Sequence, residues 1–114
     1  MVEFALVLPL LLLLMLGIIE VGRLLFTYSL VYSSVREAAR YGSASGDVGG
    51  FVAHYEDCTG IREAAKRVGR LAGVDDSSIT IQYDHGPGAG GTFSTSCPPS
   101  QPVELGDRIL IEIT

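Results

Sequence analysis

The sequence predicts an α+β fold: a long N-terminal helix carrying a small α/β head with one short helix and a small antiparallel sheet. Three observations point to it. Residues 4–19 hold no charge and no polar side chain. The apolar pattern then continues at helical spacing to Gly42. After that come a second helical stretch and two short segments in which apolar and polar residues alternate.

The first element starts with the run from Phe4 through Pro9 to Ile19, 16 residues long. A bilayer core takes about 20 helical residues. Extension to Gly22 reaches a spanning length only by including Glu20. Residues 1–22 are therefore read as a membrane or filament-core helix. A cleaved signal peptide fits poorly, because no small-residue cleavage site precedes Arg23. Pro9 lacks the N–H that would bond the Ala5 carbonyl, so it should kink or loosen the helix. Glu3, at the mouth of this helix, has two readings. It can favour the helix N-terminus through the macrodipole. It can also pair with the free amine of a neighbouring chain and set the register between subunits, because a buried charge is costly unless paired.

Residues 23–42 are an amphipathic continuation. Val21, Leu24, Leu25, Tyr28, Val31, Tyr32, Val35, Ala38, Ala39 and Gly42 recur at spacings of three and four, with Arg23, Ser29, Ser33, Arg36, Glu37 and Arg40 opposite. A helix over residues 3–42 would be about 60 Å long, twice a membrane thickness. Half of it must leave the bilayer, and the stripe over residues 24–39 then needs cover from the rest of the chain.

Residues 43–114 form the head. Residues 43–58 read as a loop. Ile61, Ala64, Ala65, Val68, Leu71 and Ala72 mark a helix over about 60–72, with Thr59 as N-cap and Gly73 just past its end. Alternation predicts strands over about 79–83 and 108–113, separated by a long exposed loop over 84–102. About seventy residues bury too little surface to be robust alone, so a staple or partner is expected. Cys58 and Cys97 lack metal-ligand spacing. They read as a disulfide in an exported head; the alternative is two buried thiols in a cytoplasmic one.

Net charge is −5 and the eight Lys and Arg are scattered, so no nucleic-acid role is expected. The absence of Asn excludes N-linked glycosylation. No nucleophile is paired with a base, and no metal or cofactor is expected. Asp84-His85 reads as the turn ending a strand, and Asp75-Asp76 as a solvated turn. The glycines of residues 86–91 lack the Lys and the strand–loop–helix context of a phosphate cradle. Glu63 and Lys66 read as surface residues. The chain is not expected to be an enzyme.

The basic residues Arg23, Arg36 and Arg40 lie on the C-terminal side of the apolar run. Taken alone, they would hold the head in the cytoplasm, against the disulfide. A short basic leader before Met1 removes the conflict, so Met1 is not expected to be the translation start.

Residues 1–12 (Met-Val-Glu-Phe-Ala-Leu-Val-Leu-Pro-Leu-Leu-Leu), 17–23 (Gly-Ile-Ile-Glu-Val-Gly-Arg) and 35–41 (Val-Arg-Glu-Ala-Ala-Arg-Tyr) resemble the TadE-like family. These are pilin-like proteins of tight-adherence systems, relatives of type IV pilins. The resemblance covers about the first 42 residues. It implies a leader removed by a prepilin peptidase and storage in the inner membrane. Assembly machinery would then place the chain in an extracellular cell-surface filament made of copies of itself. By that likeness Glu3 matches the pilin glutamate and Phe4 the aromatic beside it, with Met1, Glu3, Phe4 and Pro9 as the subunit-assembly residues. Pilins carry this glutamate at the fifth mature position; here it is third. Either two mature residues are absent from this chain or processing differs. The expected function is that of a structural pilus subunit. The alternatives are a minor membrane-resident component that primes assembly or displays an adhesive head, and a membrane-anchored binding domain unrelated to pili.

Overall fold

The computed structural model describes residues 2–88 and 90–114, with side chains from Phe4 onward. Helix α1 spans Val2–Gly42 and runs through Pro9 without interruption. Strands β1 (Asp47–Val48) and β2 (Val52–Ala53) form a minimal hairpin. Helix α2 covers Cys58–Gly69 and tightens into a 3-10 turn over Arg70–Ala72. Strands β3 (Ile79–Asp84), β4 (Thr92–Ser94) and β5 (Arg108–Ile113) make an antiparallel sheet in the order β4-β3-β5. The fold is α+β.

Alternation dictates the β3–β5 pair. Ile79, Ile81 and Tyr83 stand opposite Ile113, Ile111 and Ile109, and all six turn toward the helices. The buried core joins Ala38 of α1, Ile61 and Ala65 of α2, Val74, and Ile79, Ile81 and Tyr83 of β3. Burying each of the large members contributes roughly 1.5–3 kcal/mol. A disulfide between Cys58 and Cys97, 39 residues apart, pins the start of α2 to the segment after β4.

The structure departs from the sequence reading in four places. Residues 43–58 hold the β1–β2 hairpin, which is too short to show alternation. The expected loop over 84–102 contains β4, whose three residues pair with the end of β3 across a register shift between Tyr83 and Asp84. The N-cap of α2 is Asp57 rather than Thr59: its side chain accepts from the Gly60 amide, and Thr59 lies inside the helix. Gly73 does follow the 3-10 turn, at φ 80°, with the Val74 amide bonded back to the Gly69 carbonyl.

The fourth departure concerns the stripe over residues 24–39. Head cover begins only at Leu30; Leu24, Leu25 and Tyr28 are exposed, and so is Tyr32 higher up. The reason is length and angle. Helix α2 and its turn reach along only the last third of α1. The covered face runs through Val31, Ser34, Ala38 and Gly42. Leu24 lies on the same face, within about 20° of Val31, but beyond the reach of the head, whereas Leu25, Tyr28 and Tyr32 lie roughly 75–135° round the helix from it. One apparent stripe is thus two adjacent faces, of which the head covers the upper part of one. Overall extents of 75 × 33 × 21 Å reflect a helix protruding far from its head.

Candidate functional site

The candidate site is the protruding half of α1 together with the contact that fixes it to the head. From Phe4 to Ser29 every α1 residue is exposed, including the large apolar side chains of residues 10–16. This helix is long and apolar enough to cross a membrane. Phe4 is 73% exposed. It lies about 140° round the helix from Pro9, so the two do not share a face. Met1 lies outside the described residues, and so does the side chain of Glu3.

Rigid attachment comes from close approach of α2 to α1. Ser34, fully buried, donates to the Ala65 carbonyl at 2.7 Å. The approach needs small residues. A Cβ on Gly69 would fall 2.5 Å from Val74 Cγ2 and 2.8 Å from Ser34 Oγ. One on Gly42 would meet Ile109 Cδ1 at 2.9 Å, and one on Gly60 would collide with Tyr41 and Asp57. Ser34 was missed by the sequence reading because a serine on an apolar face signals nothing by type. Its spacing from Val31 and Ala38 was the available clue.

At the upper end of the contact the Tyr41 hydroxyl donates to Asp57 Oδ2 at 2.7 Å, and Asp57 Oδ1 accepts from Gly60 at 3.0 Å. The Tyr41 hydrogen bond, and then the Gly60 amide, hold the Asp57 carboxyl below the usual range. The same bond raises the Tyr41 phenol. Deeper in the head, burial pushes the Tyr83 phenol up to about 12, and its hydroxyl donates to the Tyr55 carbonyl at 2.6 Å.

The polar clusters of the head are occupied with structure. Asp84 receives Arg108 through two bonds of 2.8 and 2.7 Å and also the Gly86 amide. His85 stacks on Phe93 and meets Asp107 at 2.9 Å, which in turn accepts from the Glu104 amide. Asp75 holds its own turn through Ser77 and Ser78, while Lys66 bridges Glu63 and Asp76. Among the described residues no three His, Cys, Asp or Glu side chains converge in a way that could hold a metal.

The family model described as TadE-like protein matches residues 1–40, bearing out the resemblance seen in the sequence. The match covers the protruding half of α1 and most of its head-covered part. It points to a pilus-related protein with an N-terminal apolar helix. No curated protein and no solved structure matches the chain.

Proposed function

We propose that this chain, TadE-like over residues 1–40, is a structural subunit of an extracellular pilus that polymerises through the protruding half of α1. The observation that carries this reading is the uncovered apolar helix on a firmly attached head. Residues 4–19 bring large apolar side chains that cost roughly 1.5–3 kcal/mol each if left in water. Lipid covers them before assembly; copies of the same helix cover them afterwards. The head remains outside as the surface of the filament. Its role is structural, not catalytic. The partners are other copies, the membrane, the assembly machinery and a prepilin peptidase.

The test is fractionation of cells producing the chain, with electron microscopy of the sheared material. Filaments that contain the chain in bulk support the subunit reading. Confinement of the chain to the membrane fraction would overturn it in favour of a membrane-resident component that primes assembly.

A further inference from the structure

Between the part of α1 that spans lipid and the part that the head covers lies a stretch with no cover from either. A span beginning at Phe4 reaches Val21 after about 27 Å, close to the roughly 30 Å of a bilayer core. Arg23 follows, suited to the lipid edge, where a long cationic side chain can reach water. Head cover starts at Leu30. The residues between include Leu24, Leu25, Phe26 and Tyr28, which are 69, 61, 59 and 70% exposed. From residue 22 to 29 the helix rises about 12 Å, against roughly 5–8 Å for one headgroup layer.

The head presents an exposed apolar residue of its own at the end nearer this stretch. Helix α2 runs antiparallel to α1: Asp57 meets Tyr41, whereas Ala65 and Gly69 meet Ser34 further down. The 3-10 turn after α2 therefore lies at the lipid-proximal end of the head, and it carries Leu71, 81% exposed. The charges nearby cancel. Arg67 and Arg70 stand with Asp75 and Asp76, and Lys66 is already held by Glu63 and Asp76.

We propose that Leu71 and the α1 collar of Leu24, Leu25, Phe26 and Tyr28 form a lipid-surface docking face that seats the base of the head on the headgroup layer. The collar is continuous with the membrane-length helix and has the aromatic and aliphatic character of an interfacial belt. Because the charges at the base balance, the seat is apolar and does not depend on anionic lipid. The inference rests on membrane insertion of α1 before assembly.

The chain contains no Trp, so single-Trp variants report position directly. Four full-length variants are placed in nanodiscs of phosphatidylcholine, with and without bromine near the glycerol end of the acyl chains. Ile18→Trp reports insertion, Phe26→Trp the collar and Leu71→Trp the head base. Leu105→Trp reports the opposite end of the head, beside Ser43 and Ala44. The expected result is strong quenching for Ile18→Trp and none for Leu105→Trp. Phe26→Trp and Leu71→Trp should give blue-shifted emission with intermediate quenching, unchanged when phosphatidylglycerol is added. A quenched Ile18→Trp beside a Leu71→Trp that emits as in water would overturn the docking alone. Blue-shifted Leu71→Trp without quenching would mean cover by a second copy and would also overturn it. An unquenched Ile18→Trp would remove the insertion on which the inference rests.

Discussion

Tyr41 and Asp57 meet through a 2.7 Å hydrogen bond that ties the last turn of α1 to the N-cap of α2. One carboxylate therefore serves two helices: one oxygen caps α2 and the other holds α1. Tyr41→Phe should cost about 1 kcal/mol, as for a single lost hydrogen bond. Asp57→Ala should cost about 1–2 kcal/mol, since it removes the cap as well. The double variant should be no worse than Asp57→Ala, because both changes delete the same bond. Thermal melts of the full chain in detergent micelles, followed by circular dichroism, measure all three.

Acid should loosen the same contact. Asp57 is held below its ordinary value by Tyr41 and Gly60, and Asp84 is held low by Arg108. A depressed folded-state value means the contribution is complete above the unfolded carboxylate range, about 4. It is lost as pH falls through the lower folded value. The melting temperature should therefore be flat near neutrality and drop below about pH 4, and the drop should be shallower in Asp57→Asn.

Gly69→Ala should separate the two helices. Its Cβ has no room against Val74 and Ser34, and overpacking of this kind costs roughly 1–3 kcal/mol. Gly17→Ala, with nothing within 4 Å, should leave the head's melting temperature unchanged. Equal melts for the two variants would show that α1 and α2 leave room for a side chain at residue 69.

Reducing the Cys58–Cys97 bond should cost the head on the order of 4 kcal/mol through loop-closure entropy alone. Non-reducing mass spectrometry of the folded chain should show two hydrogens fewer than the reduced chain. Melts with and without reductant then give the size of the effect. Alkylatable thiols in the folded protein would contradict the bond.

Glu3→Ala separates assembly from insertion. Removing a charge eases insertion, so the variant should still reach the membrane. In a filament it would leave a neighbouring amine buried without its partner, typically a loss of about 3–5 kcal/mol per subunit. Sheared filament should fall sharply relative to membrane-bound protein. Undiminished shearing would end the pairing role for Glu3.

The sequence by itself determined the features that depend on local periodicity. An uncharged run of 16 residues, with no breaker between Pro9 and Gly42, points to one long helix, and its length alone forces half of it beyond a membrane. Alternation at residues 79–83 and 109–113 specified two half-buried strands, and Gly73 marked the end of the second helical segment. Tertiary structure decided what depends on partners distant in the chain. It chose Asp57 over Thr59 as the cap, because Tyr41 stands over Asp57. It also placed β4, whose three residues are ordered only by pairing with β3. Above all it split the stalk's apolar stripe, burying Ser34 and leaving Tyr32 exposed. The stripe read from the sequence includes Tyr32 and leaves Ser34 out. What decided it was the close approach of Gly69 and the acceptor at the Ala65 carbonyl, and neither can be read from the residues of α1.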